Sequence, residues 1–470
     1  MPNGVFLETR KVKVAVAGGT GFVGMALIQK LALRYDVVGL GRNLPKKSIE
    51  GVEWKKTDFL SLIDAEEALK DVEIAYYLIH SMMPSARLSQ GRFQDFDLIA
   101  ADNFARSAHK TKVKQIIYLG GLIPEDDELS DHLQSRLEVE HALTAYGTPV
   151  TILRASMVVG PSGSSFVIMK KLVERLPVML CPEWTRKQTQ PIALKDVVQL
   201  LAFCANNKEV FGDTFDIGGP DVLTYEEMMR TTAQAMGKNL RIFHFSGFTI
   251  GLSRLWVSLI TGAPKSLVLP LIQSLRHRMV ARENRLVEMA GIKPLRFEVF
   301  LRETLGAEKK LGKNQKPIAF LGNRRGEEIL DVSSIQRFAL PGYLDATWIA
   351  QEYLKWLPKR FIYFIRVKSN AESCAFFLWP FRKPLLVLVY SKERSTKNRA
   401  LFYVKGGFLA QIEGRGRLEM REVLNRRFLL ISLLEFRPKL PWFFYKATQA
   451  RLHLWVMKSF GRYLRRRHEV

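Results

Sequence analysis

The stretch Gly18-Gly19-Thr20-Gly21-Phe22-Val23-Gly24 constrains the fold of this chain more than any other. Residues 11–17 before it form a short β-rich run, and residues 25–33 after it have helical spacing. Glycines spaced G-x-x-G-x-x-G between a strand and a helix meet three steric needs. Gly18 permits a tight turn, Gly21 lets the backbone approach a diphosphate, and Gly24 lets the helix pack against the strand. The N–H groups opening that helix, at its positive end, then suit phosphate. The motif points to a dinucleotide held by Gly18, Thr20, Gly21, Phe22, Val23 and Gly24. A glycine-rich turn with no ligand is the competing reading.

The surrounding pattern agrees. Apolar runs recur at residues 37–40, 74–79, 113–119 and 150–153, and helical stretches at 64–69 and 96–108 lie between them. Strands spaced by helices imply βαβ units, hence a Rossmann-like, doubly wound parallel α/β sheet buried on both faces. The second strand ends Gly39-Leu40-Gly41-Arg42-Asn43, where an NAD site carries an acid for the ribose hydroxyls. A guanidinium there suits a 2′-phosphate, so Arg42 and Asn43 point to NADP(H) over NAD(H). A solvated surface arginine is the plain alternative. In Thr57-Asp58-Phe59, after the third strand, Asp58 is placed to accept from an adenine amino group.

Five stretches now carry a resemblance: residues 18–24, Tyr76-Tyr77-Leu78-Ile79-His80-Ser81-Met82, residues 130–136, Leu153-Arg154-Ala155, and residues 189–197. Residues 11–310 resemble the extended and atypical short-chain dehydrogenase/reductase (SDR) superfamily. The chain is similar to its bacterial two-domain subfamily, in which such a domain precedes a C-terminal domain of unknown function. The resemblance implies NAD(P) laid across the strand ends, passing Asp58, Phe59, Leu78, Ile79 and His80. It also implies that Met157 and Val158, in the turn after the sixth strand, lie beside the nicotinamide, and that a small substrate-side subdomain draws on residues 155–300.

The chain departs from that family where chemistry is done. Active SDR enzymes use a Tyr-x-x-x-Lys pair and a serine. Here the matching stretch is His132-Leu133-Gln134-Ser135-Arg136, and the serine position reads Leu119-Gly120-Gly121-Leu122. His132 is therefore the candidate general acid or base, because imidazole shuttles protons near neutrality. Arg136 can hold a ribose, although it cannot deprotonate. Alternatively, His132 merely anchors the helix start, with Ser130 or Asp131 as N-cap. His80 closes an apolar strand and is a second candidate, against the simpler reading of a buried, satisfied histidine.

The net charge of +25 is unevenly placed. Residues 1–240 hold 28 Lys+Arg against 29 Asp+Glu, and residues 241–470 hold 43 against 17. Residues 341–470 also carry 24 of the 50 aromatic side chains. A neutral, enzyme-like half thus precedes a basic, aromatic-rich half with a different partner. Cys181, Cys204 and Cys374 offer neither a disulfide framework nor metal-ligand spacing, so no metal is expected and a reducing cytoplasm fits. Residues 1–6 lack the apolar core of a secretory signal. The apolar segment 248–260, interrupted by Arg254, is too short to span a bilayer, which takes about 20 apolar residues.

Three regions are expected: a Rossmann domain over 11–240, a helical substrate-side linking segment over 241–310, and a basic α+β domain over 325–470. In the last, strands are expected at 329–338, 361–367, 373–378, 384–390, 400–404, 417–423 and 428–434, with helices at 343–357 and 442–466. A curved sheet closed by one long helix resembles the helix-grip fold of polyketide-cyclase and lipid-transfer-like domains, which encloses a cavity for a hydrophobic small molecule or lipid. The closing helix, with Trp442-Phe443-Phe444-Tyr445 and terminal arginines, has the composition of an anionic membrane-surface helix on the inner face of the membrane. Nucleic acid ranks below this, because no recognition motif is present. The sequence supports an NADP-dependent oxidoreductase acting on a hydrophobic substrate at the membrane surface. The missing Tyr, Lys and Ser groups support the alternative, a non-catalytic NADP(H)-binding structural or redox-sensing protein.

Overall fold

The computed structural model describes residues 11–80, 88–125, 128–244, 257–264, 268, 272–311, 331–340, 344–362, 364–412 and 415–468. Most of the apolar segment expected at 248–260 lies outside them, as does the polar boundary region beyond residue 311. The chain divides into two units, Met1–Met82 with Asp97–Gly322, and Met83–Phe96 with Asn323–Val470.

In the first half the elements run β1 (Lys13–Ala17), α1 (Phe22–Leu31), β2 (Asp36–Gly41), β3 (Val52–Lys56), α2 (Leu62–Ala68), β4 (Ile74–Tyr77), β5 (Leu88–Gln90), α3 (Phe93–Lys110), β6 (Gln115–Gly121), α4 (Asp131–Thr144) and β7 (Val150–Ala155). Then come β8 (Val158–Val159), α5 (Ser164–Arg175), β9 (Val178–Cys181), β10 (Gln188–Thr189), β11 (Ile192–Ala193), α6 (Leu194–Cys204), β12 (Thr214–Ile217), β13 (Leu223–Thr224), α7 (Tyr225–Ala235), β14 (Arg241–His244), α8 (Arg285–Met289) and α9 (Phe297–Leu311).

Seven strands form one parallel sheet in the order β3-β2-β1-β4-β6-β7-β12. Val14, Ala15, Val16 and Ala17 are fully buried, as unbroken apolar strands of a sheet covered on both faces must be. Strand order reverses between β1 and β4, so the crevice for a ligand opens at their carboxyl ends. One core packs Leu27, Ile28 and Leu31 of α1 and Val197, Leu200 and Leu201 of α6 against Val14, Val16 and Tyr76. A second core joins Phe166 and Met169 of α5, Met228 of α7, and Phe297, Phe300 and Leu301 of α9.

The second unit runs β15 (Val332–Ala339), α10 (Ala346–Arg360), β16 (Ile365–Ser369), β17 (Ser373–Leu378), β18 (Pro384–Tyr390), β19 (Arg399–Gly406), β20 (Arg417–Val423), β21 (Phe428–Phe436), α11 (Trp442–Ala447) and α12 (Gln449–His468). Its sheet has the order β16-β17-β18-β19-β20-β21-β15-β5. The first seven pair antiparallel, and β5 adds to β15 in parallel through Val332–Leu88, Ser333–Ser89 and Ser334–Gln90. Leu418 and Met420 on one face of β20 share a core with Ile349 and Trp356 of α10 and Met457 and Phe460 of α12. Arg417, Glu419 and Arg421 alternate with them and are buried as well.

The closing helix differs from the single helix expected over 442–466. It breaks at Thr448, whose ψ is −79°, into α11 and α12. The Thr448 hydroxyl donates to the Phe444 carbonyl four residues back, a bond that bends helices.

Candidate functional site

The glycine loop closes β1 onto α1. Gly18 adopts φ +84°, and a Cβ there would stand 2.8 Å from the Leu78 carbonyl oxygen. A Cβ on Gly24 would stand 2.3 Å from the Gly18 carbonyl oxygen, so only glycine lets α1 start this close to the loop. Gly21 is the N-cap of α1, no side chain caps that end, and its first turn has no acid. Uncapped amides at the positive end of a ten-residue helix fit a phosphate. Thr20 lies against Gly41, tying the loop to β2; a Cβ on Gly41 would be 3.1 Å from its Oγ1. The Phe22 ring abuts Gly160 and Gly163, and Val23 packs on the first core.

Beyond β2, Arg42 and Asn43 are exposed. Asp58 turns inward on its own loop, its Oδ1 accepting from the Leu60 amide at 3.1 Å. Phe59 is buried against Phe104, and its carbonyl accepts from Asn103 at 2.8 Å. Its side chain therefore serves the core. Leu78 and Ile79 are partly exposed at the end of β4.

Three elements bring polar and ionisable groups together next to that edge. His80 follows β4, Asp97 projects from α3, and His132, Ser135 and Arg136 come from the first turns of α4. Ser130 caps α4 by accepting from the Leu133 amide at 3.3 Å, so the N-cap reading of Ser130 holds alongside any role for His132. Asp97 is fully buried, and its Oδ2 accepts from Ser135 at 3.3 Å and from the Arg136 guanidinium. The same oxygen is 3.2 Å from His80 Nδ1. Arg136 also donates to the Ile79 carbonyl at 3.5 Å. The His80 and His132 rings are 4.9 Å apart at 45°.

Burial favours the neutral form of both imidazoles. Burial holds His132 well below the usual histidine value, and His80 and Arg136 add to the effect. Burial and then Arg136 lower His80, with Asp97 opposing. A carboxylate oxygen can only accept, so His80 carries its proton on Nδ1 and its lone pair on Nε2. His80 Nε2 and His132 Nδ1 are buried without a hydrogen-bond partner.

His132 also borders a cavity of about 160 Å³ inside the first unit. Met157, Ile168, Met169, Trp184, Tyr225 and Met279 are among its lining residues, and the wall is strongly apolar. The turn after β7 is fixed at its rim: Ser156 Oγ donates to the Gln190 carbonyl, the Met157 carbonyl accepts from Ile192 at 3.0 Å, and Val158 pairs with Ile192. The glycine loop, the β4 end, His132 and Met157 thus belong to one unit, and Asp97 and Ser135 join them although the sequence reading passed over both. A signal existed for Asp97. It falls on the same helical stripe as Ala101, Phe104 and Ala108, all fully buried, where an acid is out of place.

Comparison with known proteins bears on the first unit. Residues 14–218 match the model of the NAD dependent epimerase/dehydratase family. Over 142 residues the chain is 31% identical to auxiliary protein GraX of Staphylococcus aureus (strain NCTC 8325 / PS 47), covering 30% of this chain and 43% of that protein. It is 23% identical over 255 residues to UDP-glucose 4-epimerase of Vibrio cholerae, covering 48% of this chain and 76% of the relative. Among solved structures, the NADPH-dependent quinone oxidoreductase QOR2 of Escherichia coli, complexed with NADPH, superimposes with a TM-score of 0.51. That match is at 17% identity and covers 62% of this chain and 99% of the other, which shows the shared fold.

Proposed function

Residues 14–218 match the NAD dependent epimerase/dehydratase family, and on that premise we propose an NADP(H)-dependent oxidoreductase of the extended SDR type acting on a hydrophobic substrate. The observation that carries this reading is His132. Among the described residues lining the apolar cavity it is the one imidazole, and it stands beside the end of β4. Gly18, Thr20, Gly21, Phe22, Val23 and Gly24 would hold the diphosphate, Arg42 and Asn43 the 2′-phosphate, and Leu78, Ile79, Met157 and Val158 the nicotinamide side. Asp58 would meet the adenine through its remaining acceptor capacity.

The chemistry such a cofactor supplies when bound is hydride transfer. The chain must then orient the substrate and manage one proton. A neutral His132 offers an N–H that polarises a carbonyl oxygen and a lone pair that receives a hydroxyl proton. Asp97 fixes the His80 tautomer, so Nε2 of His80 is a proton acceptor next to His132. Arg136 and Ser135 hold Asp97 in place and act as positioning residues. This set takes over the duties of the absent Tyr, Lys and Ser. Met157, Met169 and Met279 give the wall adaptable apolar surface, suiting a flexible or isoprenoid-like substrate better than a sugar.

We carry three further readings into this proposal. Residues 11–240, 241–310 and 325–470 serve as cofactor-binding, substrate-side and accessory regions. The strand order of the second unit, with β15 beside β21 and α10 between β15 and β16, supports a helix-grip-like domain. Attachment is peripheral, to the inner face of an anionic membrane, and among the described residues no helix is long and apolar enough to cross one. The second reading, non-catalytic NADP(H) binding, draws on the missing Tyr-x-x-x-Lys pair. Titration with NADPH and NADH, followed by NADPH oxidation assays with hydrophobic carbonyl and quinone acceptors, separates the two. Tight NADPH binding with no turnover on any acceptor favours the second, and no nucleotide binding ends both.

A further inference from the structure

Ten large hydrophobic side chains are exposed among the described residues of the second unit, and they gather at one end of its sheet. Consecutive antiparallel strands put the end of β17, the start of β18, the end of β19, the start of β20 and the end of β21 on the same side. The turn from β17 to β18 presents Trp379 and Phe381, 54% and 65% exposed. The connection from β19 to β20 presents Phe408 and Ile412, and α11 presents Phe443 and Phe444, at 79% and 60%. Backbone bonds hold these pieces together. The Trp379 amide donates to the Phe364 carbonyl at 2.8 Å, Phe408 to Pro384 at 3.0 Å, and Lys439 to Leu409 at 3.1 Å. The Trp455 ring, early in α12, meets Phe361 at 5.7 Å and lies under the Arg360 guanidinium.

The opposite end of the same sheet is built differently. Its turns, at residues 370–372, 391–398 and 424–427, are polar, and no large hydrophobic side chain is exposed there among the described residues. Folding therefore does not force apolar tips on this unit. A patch of this size left open to water marks an interaction surface.

Charge identifies the partner. Arg382, Lys383, Arg415, Lys439, Lys446 and Arg451 are exposed around the tips. Residues 437–468, which contain α11 and α12, include no Asp or Glu. Rings and aliphatic chains on separate turns, with cations behind them, match the boundary between acyl chains and anionic headgroups, where Trp and Phe anchor and Lys and Arg stay at the phosphates. A second copy of this chain would set the same cations against each other across a two-fold axis.

We propose that this end of the second unit is a lipid-docking surface, which inserts Trp379, Phe381, Phe408, Ile412, Phe443 and Phe444 into the interface of an anionic phospholipid membrane. This gives a site to the membrane attachment proposed above and rests on that part of the reading. It moves the contact from the long face of the closing helix to three chain segments at one end of the sheet. The oxidoreductase reading is independent of it.

The test is flotation of the full chain with phosphatidylcholine vesicles, with and without phosphatidylglycerol, at low and high salt. Association only with the anionic vesicles, weakened by salt, is expected. Phe443→Ser with Phe444→Ser should lower partitioning about tenfold or more. Lys439→Glu with Lys446→Glu should lower it at least about twentyfold, since each surface cation contributes roughly fivefold. Lys392→Glu with Lys397→Glu, at the opposite end, should leave it unchanged. Circular dichroism and the thermal unfolding midpoint of each variant report retained folding, and a Trp379→Phe variant should lose part of the fluorescence blue shift that vesicles induce. No flotation with anionic vesicles overturns the proposal, as does equal loss from the opposite-end pair. It is also overturned if the phenylalanine changes abolish self-association or nucleic-acid retention while vesicles are ignored.

Discussion

Nδ1 of His80 lies 3.2 Å from Oδ2 of Asp97, the oxygen that also receives Arg136 and Ser135. One fully buried carboxylate therefore fixes the orientation of an imidazole, the start of α4 and, through the adjacent ring, the surroundings of His132.

Replacing His132 by Ala removes the imidazole from the cavity wall while leaving the glycine loop intact. Turnover should fall about 10²–10⁴-fold, the usual contribution of a positioned acid or base. The NADPH dissociation constant should stay within about twofold of the parent, since a 1.4 kcal/mol loss is needed for tenfold. Steady-state rates and a binding titration on the same preparation measure both.

Asp97→Asn takes away the charge that favours protonation of both histidines. The acid limb of the pH–rate profile should move to lower pH, and the maximal rate should drop because the His80 tautomer is no longer dictated. Arg136, 6% exposed at its side chain, is left without its carboxylate, a loss of about 3–5 kcal/mol of stability. The pH profile distinguishes the positioning role from simple loss of folding.

Arg42→Leu should raise the dissociation constant for NADPH about tenfold or more and leave that for NADH unchanged, because a charge-assisted contact to the 2′-phosphate is what it would remove. Equal effects on the two nucleotides would withdraw Arg42 from the site.

Glu419→Gln tests the buried charges of the second unit. Glu419 Oε1 accepts from Arg399 at 2.5 Å and from Arg421 at 2.6 Å, and all three residues are almost fully buried. Burial alone would raise the Glu419 pKa, yet Arg421 and Arg399 hold it far below the usual carboxylate value. The amide removes the negative charge that two buried guanidiniums share and should cost about 3–5 kcal/mol in denaturant unfolding.

His453 makes stability depend on pH. Burial lowers its pKa from 6.5 to about 4 in the folded chain. Between those values the unfolded chain binds the extra proton, so stability is complete above 6.5 and is lost as pH falls toward 4. His453→Gln should flatten that decline in the melting temperature relative to the parent.

Much of this architecture is legible from residues alone. The strands β17, β18 and β20 begin and end where the sequence pattern places them, because turn residues such as Asn370, Pro380 and Asn425 interrupt runs of strand-forming side chains. The glycine loop is legible because steric limits at Gly18 and Gly24 leave few alternatives. Two features escape for physical reasons. Leu88-Ser89-Gln90 has no apolar run, so only its pairing with Val332–Ser334 makes it a strand. The helix break at Thr448 turns on one hydroxyl bond inside an otherwise continuous helical pattern. At the site, His132, His80 and Arg136 were visible as types out of pattern, while Asp97 required knowing which face of α3 is buried.

The short strand Leu88–Gln90 has a consequence for biosynthesis. Its hydrogen-bonding neighbourhood includes Gln336, 246 positions later in the chain. At roughly 5–20 residues per second, a ribosome needs about 12–50 s to deliver that partner. Throughout that interval a nascent loop must wait unpaired, and a fragment cut near residue 323 would emerge with its sheet one ribbon short. Expressing residues 323–470 alone therefore leaves β15 as a bare strand edge, and aggregation of that truncation would reflect a missing seam rather than an unstable core.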